Sequence, residues 1–317
     1  MSIIIMRSGF VIFLFFAFFG DFIANEKPLI CQVKGKMEFP AFRQKGIEWR
    51  IAESDSSFYA RNWLTFSEYD WAVRAPVHFS AGTIDLRGEH FDGPFRHPHL
   101  LGTDRLGRDV LAGLIEGCAV AFKTGFSVMI IAVFLGLLFG VVAGYFPVFW
   151  DYPIMSLIEI KRSVPGILWI FAVAAILRQC SLFQIILIIA LLSWPNIALL
   201  VRSSVIKVKN EDYITAAKAL GFSKWRILTK HILPNCLQPV YVAAAALIPA
   251  AITTESALTF LGIGLPLNTV TWGSILRQAQ NDIDAWWLAL FPGLCLFFVV
   301  ILFNSWAENL RKKDNFG

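Results

Sequence analysis

Charged side chains are scarce in this sequence. Only 16% of its 317 residues are Asp, Glu, Lys or Arg, against 56% that are hydrophobic. A water-soluble domain of that length covers its exterior with polar groups, and this chain has too few to do so. Cysteine is sparse too: Cys31, Cys118, Cys180, Cys236 and Cys295 are odd in number and scattered. That argues against a paired disulfide framework or a cysteine metal site and leaves them as small apolar residues. No G-x-x-x-x-G-K-[ST] run occurs, so the chain has no visible means of cradling ATP phosphates. The five histidines (His78, His90, His97, His99 and His231) all fall outside the long apolar runs. No Ser/His or paired-Asp set lies within those runs either. His97-Pro-His99 lacks neighbouring Cys or carboxylate spacing and reads as plain loop, so neither a metal site nor a catalytic residue is expected. The net charge of +5 is modest. In an apolar chain it reflects cytoplasmic Lys and Arg and not a nucleic-acid partner.

What the sequence has in quantity is apolar length. A helix needs roughly 20 apolar residues to cross a bilayer core. Six segments approach that standard: 3–23, 121–146, 164–178, 182–202, 237–260 and 286–305, the third short and interrupted by Pro165 and Gly166. Inside lipid, backbone N–H and C=O groups must be satisfied within the segment, so helices and not strands are expected. The expected class is an all-α polytopic membrane protein. It would comprise an N-terminal transmembrane anchor (1–23), an extracytoplasmic insert (24–97), a core with the other five spans (98–310) and a tail (311–317). Residues 1–23 also carry an apolar stretch of signal-peptide length after Arg7, but Phe22-Ile23-Ala24 gives no small-x-small cleavage site, which favours a retained anchor.

Basic residues orient the spans. Segment 202–235 holds seven (Arg202, Lys207, Lys209, Lys218, Lys224, Arg226, Lys230) against two acids. The connection 147–163 adds Lys161 and Arg162, and the tail Arg311, Lys312 and Lys313, whereas 261–285 has only Arg277. The positive-inside rule then places both termini and 202–235 in the cytoplasm. The insert 24–97 lies outside; its ten basic residues do not count against this, because long loops translocate largely regardless of charge. Short strands such as 82–86 are expected in it.

One cytoplasmic segment interrupts the apolar runs: EDYITAAKALGFSKWRILTKHILPN, residues 211–235. Tyr213, Ala216, Ala217 and Leu220 recur at i, i+3, i+4 and i+7 and predict one shallow apolar face on a short helix. Gly221 is placed to end that helix in a left-handed turn. Ser223 can cap a second helix on which Trp225, Leu228 and Ile232 share a face, stopped by Pro234. The pattern by itself fits an amphipathic loop on the membrane surface or a docking element for a partner.

The run ITAAKALGF…HILPN resembles the EAA cytoplasmic loop of ABC-transporter permeases, with Thr215 where that loop carries Glu. HPHLLGTDRLGRDVLAGLIEG (97–117) is similar to a signature of the dipeptide and oligopeptide branch, carried by Gly102, Thr103, Asp104, Gly107, Arg108 and Asp109. Thr103 or Asp104 is expected to cap an interfacial helix there, with Leu106, Val110, Leu111 and Leu114 as its apolar stripe. Arg105, Arg108 and Asp109 would occupy the wetter face. TTESALTFLGIGLPLNTVTWGSIL (253–276) resembles that branch after its fifth span. Its Glu255 lies inside a predicted span, open to a translocation-path or gating role or to a packed, hydrogen-bonded place. Gly262 and Gly264 suit a tight turn and Trp272 an interfacial anchor. The long insert and NDIDAWWLALFPG (281–293) resemble the microcin C and oligopeptide subgroup. Ser156 and Phe146-Pro147 depart from the branch's pattern.

The resemblance implies a permease subunit of a bacterial inner-membrane, binding-protein-dependent importer of peptides or peptide-like solutes. It would form half of the pathway beside a homologous second permease. Two ATPase subunits, carrying the ATP and Mg this chain does not bind, would dock at the loop 211–235, and a periplasmic or extracellular solute-binding protein would deliver substrate. Two rivals belong to other classes. A secondary transporter driven by an ion gradient wants several intramembrane ionisable residues, and an intramembrane hydrolase wants a catalytic set the spans lack.

Overall fold

The apolar runs fold as helices, the form that satisfies backbone amides without water. The computed structural model describes residues 3–33, 35–43, 70–85, 91–95, 98–177, 180–263, 265–266, 269–282 and 284–314. In chain order the helices are α1 (Ile3–Ile23), α2 (Pro40–Arg43), α3 (Val110–Tyr145), α4 (Val148–Ser163), α5 (Gly166–Leu177), α6 (Leu182–Lys209), α7 (Asp212–Ala219), α8 (Lys224–Ile227), α9 (Leu233–Phe260), α10 (Trp272–Gln278) and α11 (Trp287–Asp314). Among the described residues, five helices are long and apolar enough to cross a membrane: Met6–Ile23, Val110–Tyr145, Leu182–Lys209, Lys224–Phe260 and Trp287–Lys312. The expected third span, 164–178, is not one of them. It contains α5, whose 12 residues reach about 18 Å, short of a bilayer core of about 30 Å. The stretch 147–163, expected as a connection, is the 16-residue helix α4.

The chain divides into two compact units. One comprises residues 1–7, 123–266 and 297–317, and α6 organises it. A capping box starts α6: Ser181 Oγ accepts from the Gln184 backbone N–H (3.3 Å) while Gln184 Oε1 accepts from the Ser181 N–H (2.8 Å). Three glycines of α3, at positions 136, 140 and 144, lie where α6 comes closest. A Cβ on Gly136 would sit 2.5 Å from Ile197, one on Gly140 2.6 Å from the Ala198 carbonyl oxygen, and one on Gly144 2.9 Å from Val205. Their spacing of four puts them on one face, so the two backbones pack almost directly together.

The helices α4 and α5 follow α6 from one end to the other. Asp151 accepts two hydrogen bonds from Arg202, from Nε and Nη2, each 2.6 Å. Further along, Ile158 is buried with Ala132, Trp194 and Ala198. Beyond the break at Val164-Pro165, Ile170 of α5 joins Ile185, Ile186 and Ile189. The contacts therefore climb α6 in reverse order as α4 and α5 proceed.

The other unit comprises residues 8–122 and 267–296. Its small antiparallel sheet has the order β2 (Lys36–Glu38), β1 (Ile30–Val33), β3 (Trp71–Val73), with Cys31 opposite Glu38 and Ala72. The strand expected over 82–86 is absent as such. Ile84 forms only an isolated bridge with Arg108, and residue 86 lies outside the described residues. Burial and the neighbouring Glu38 push the Cys31 thiol up to about 11, so it is an inert packing residue. All five cysteines are free. Ala24, Phe79, Ala112 and Ile115 bury together, tying the insert to α1 and the start of α3. That start lies well before the expected residue 121. Its glycines and Glu116 dilute the apolar run, yet Gly117 is needed for the packing of Trp272, whose ring would meet a Cβ there at 2.3 Å.

Candidate functional site

The loop 211–235 forms a two-helix elbow. Its first helix, α7, closes as Gly221 (φ +79°) donates to the Lys218 carbonyl (3.0 Å) and Phe222 to the Ala217 carbonyl (3.2 Å). This paired closure needs a left-handed residue at 221, the conformation expected from the sequence. Ser223 Oγ then accepts from the Arg226 N–H at 3.3 Å and starts α8. The elbow stands on a firm footing. The hydroxyl of Tyr145 donates to the Lys224 carbonyl and Lys209 Nζ donates to the Tyr145 carbonyl, both at 3.0 Å. The Arg226 guanidinium lies 4.2 Å from the centre of the Phe222 ring.

Which residues face inward differs from the expected stripe. Ile214 and Ala217 are buried with Ile227, Leu228 and Ile232 against Val201, Val205, Cys236 and Val240. The exposed ridge is Tyr213, Ala216 and Leu220, beside Thr215, with Leu220 75% exposed. Ala217 therefore belongs to the core beneath the elbow and not to its outer face. Trp225 is likewise 70% exposed while Leu228 and Ile232 are buried, so the three do not share a face.

Pro234 does not stop the helix as expected. Residues 228–232 form a π-turn that leads directly into α9, with Leu233 N–H bonded to the Leu228 carbonyl. Proline has no N–H to offer, and the widened turn accommodates that missing donor without breaking the helix.

Glu255 lies towards the far end of α9 from the elbow and is 2% exposed. Thr259 Oγ1 donates to its Oε1 (2.9 Å) and Ser256 Oγ to its Oε2 (3.3 Å). It is a packed, hydrogen-bonded carboxylate. Gly262 (φ +80°) ends α9 with bonds from Gly262 to Thr259 and from Ile263 to Leu258. Gly264 lies outside the described residues.

The signature 102–109 is a tight turn, not an interfacial helix. Asp104 Oδ1 accepts from the N–H groups of Leu106 (2.8 Å) and Arg108 (2.9 Å). Its Oδ2 accepts from Arg108 Nε (2.7 Å) and Gln278 Nε2 (3.1 Å). Arg108 and Asp109 are buried, contrary to the expected wet face. Thr103 pairs with Asp109 across the turn, and its carbonyl accepts from Trp287 Nε1 at 3.1 Å. Gly102 and Gly107 both have positive φ, which closes the turn. The cap of α3 is Asp109, whose Oδ1 accepts from the Ala112 N–H at 2.7 Å. A local Asp104–Arg108 pair competes with helix formation at 103–108, which periodicity alone did not show. Trp272, expected as an interfacial anchor, is buried and donates from Nε1 to the Leu114 carbonyl at 3.0 Å.

Sequence reasoning missed His99. It is 1% exposed; its Nδ1 donates to Asp109 Oδ2 at 2.8 Å, and Nε2 lies 3.6 Å from Asp85. Burial works against the imidazolium, but the Asp109 hydrogen bond and the charges of Asp109 and Asp85 outweigh it, raising the pKa above the ordinary histidine value. Among the described residues no group of three potential metal ligands forms.

Residues 136–313 match the family described as the binding-protein-dependent transport system inner membrane component. That match spans more than half of the chain. The chain belongs to this family. Among individual relatives of this transport component, the dipeptide transport system permease protein DppC of Alkalihalophilus pseudofirmus is 37% identical over 242 residues, 76% of this chain and 79% of the relative. The inner membrane ABC transporter permease protein YejE of Escherichia coli K12 is 28% identical over 320 residues, covering 96% and 92% of the two chains. A chain in a structure of the inward-facing MetNI methionine ABC transporter shares the fold, with a TM-score of 0.51 at 19% identity. It covers 64% of this inner-membrane component and 95% of that chain.

Proposed function

We propose that this transport component is the permease subunit of an ATP-driven, binding-protein-dependent importer of peptides or peptide-like solutes. Relatives named as peptide and dipeptide permeases support the substrate class. The elbow carries the mechanism. Its ridge of Tyr213, Ala216 and Leu220 is a shallow apolar surface with basic flanks, held on a buried base and joined without a break to α9. Such a ridge suits a groove on a cytoplasmic ATPase subunit. ATP and Mg bind there, two such subunits drive the cycle, and this chain supplies no phosphate-binding loop of its own. A second, homologous permease completes the pathway, and an outer solute-binding protein delivers substrate.

Six crossings fit this reading. The helices α4 and α5, which together run the length of α6, form the third crossing as two half-helices joined at Val164-Pro165. An even number of crossings puts both termini and the basic elbow in the cytoplasm.

The test is co-purification with a candidate ATPase from a neighbouring gene. Ala216→Arg and Leu220→Arg alter only the exposed ridge, and both are expected to abolish ATPase recovery without lowering thermal stability. Ala217→Arg, beneath the ridge, is expected to unfold the elbow and lower stability as well. Full recovery of a stimulated ATPase with both ridge variants would overturn the docking role.

A further inference from the structure

The helix α4 is an unusual piece of a membrane crossing, because its charged residues lie deep. Asp151 meets Arg202 near one end of α6, but Ile158 packs on Trp194 and Ala198, which flank the middle of α6. Glu159 and Arg162 are within about one turn of Ile158 and so share its depth. Charges at such depth are costly unless water or a partner group meets them. Neither Glu159 nor Arg162 is in an ion pair with a described residue, and both are exposed.

Their position around the helix is informative. Tyr152, Ser156, Glu159 and Ser163 recur at i, i+4, i+7 and i+11 and make one polar stripe, with Arg162 beside it. Phe149, Pro153, Leu157 and Ile160 occupy the adjoining sector, all exposed and apolar, as a lipid-facing surface should be. The buried sector, centred on Ile158, faces α6. One short helix thus presents separate faces to protein, lipid and something polar. The polar stripe ends where the helix itself ends: Val164 is extended (φ −111°, ψ 131°) and Pro165 follows. Broken helices near the middle of a membrane are where transporters place solute sites, because irregular backbone there must line a wet cavity.

We propose that the polar stripe of α4 lines the solute route, and that Glu159 and Arg162 form a mid-depth station for the charged ends of a passing peptide. Glu159 takes the ammonium group and Arg162 the carboxylate. This inference rests on the importer reading given above and names the subsite that reading leaves open.

Cysteine labelling tests the placement without knowledge of the natural substrate. Single variants Tyr152→Cys, Glu159→Cys and Ser163→Cys, and on the other face Phe149→Cys, Leu157→Cys and Ile160→Cys, are treated with an anionic methanethiosulfonate. Membrane vesicles are freeze–thawed so that the reagent reaches both faces, with the wild-type protein as background. Labelling of the first set alone is expected. Equal labelling of both sets would mean that α4 lies at the membrane surface, and labelling of neither would mean that the stripe is sealed. Either result overturns the proposal.

The second arm measures uptake of a tryptic casein peptide mixture by the complete transporter. Glu159→Gln and Arg162→Gln are each expected to lower uptake about tenfold, the order expected for one charge-assisted hydrogen bond, while Ile160→Ala leaves it unchanged. Unaltered uptake in both charge variants would refute the station. Failure of the wild-type chain to recover an ATPase would instead refute the importer reading, and the labelling pattern would still decide where α4 lies.

Discussion

Adding one methyl group at Gly140 should loosen the contact between α3 and α6. The new Cβ would stand 2.6 Å from the carbonyl oxygen of Ala198 and 2.7 Å from the Val201 Cβ, whereas ordinary contact begins at 3.4 Å. The shortfall against the oxygen is about 0.8 Å. The oxygen is backbone and the Cβ is fixed to it, so no rotamer change relieves the clash and the helices must separate. Overpacking of this kind costs about 1–3 kcal/mol, and each kcal/mol moves a melting midpoint by roughly 2–4 °C in a chain of moderate size. Gly140→Ala is therefore expected to melt about 5 °C lower, with Gly136→Ala similar and Gly144→Ala milder. A thiol-reactive dye can follow the transition in detergent, because Cys180 and Cys236 are buried until the unit opens. Gly293→Ala is the control: nothing lies within 4 Å of its Cβ, so it should be neutral or stabilising. If Gly140→Ala melts no lower than Gly293→Ala, the close-packing account is wrong.

Two further outcomes follow from the local geometry. His99 has a raised folded-state pKa, so its contribution to stability is complete below about 6.5, the unfolded value, and is lost as pH rises through the higher folded value. Melting measured from pH 5 to 9 should fall along that upper range, and His99→Asn should flatten the dependence; an unchanged profile would remove the His99–Asp109 pair as its cause. Gly221→Ala, at φ +79°, should cost about 1–2 kcal/mol by strain alone. The resulting loosening would show as faster proteolysis within 211–235, and protection equal to wild type would argue against a left-handed requirement.

Much of this arrangement was legible from residue patterns, and the exceptions have identifiable causes. The long apolar runs, the Gly221 turn and the Ser223 cap each depend on neighbouring residues, so local chemistry sufficed. Ala217 turns inward because Ile214, the larger apolar side chain of the same short helix, takes the core and sets which face is buried. The helical state of 148–163 was hidden by Asp151, Glu159, Lys161 and Arg162, which read as loop until the Arg202 partner on α6 is known. The turn at 102–109 depends on Gln278 and Trp287, far away in the chain. Gly136, Gly140 and Gly144 were visible at a spacing of four all along, and their periodicity within an apolar run was the available signal.

The π-turn at 228–232 makes the elbow and α9 a single crank. A flexible linker would absorb a push on Leu220 as slack, whereas a continuous hydrogen-bonded rod turns it into tilt. From the turn to Glu255 the lever arm is about 35 Å, so a tilt of roughly 5° at the base swings the far end by about 3 Å. Pro239 and Pro249 remove backbone bonds along that arm and so set how stiff it is. The amount of motion that reaches the far end of α9 is thus governed by two prolines that lie between the elbow and Glu255.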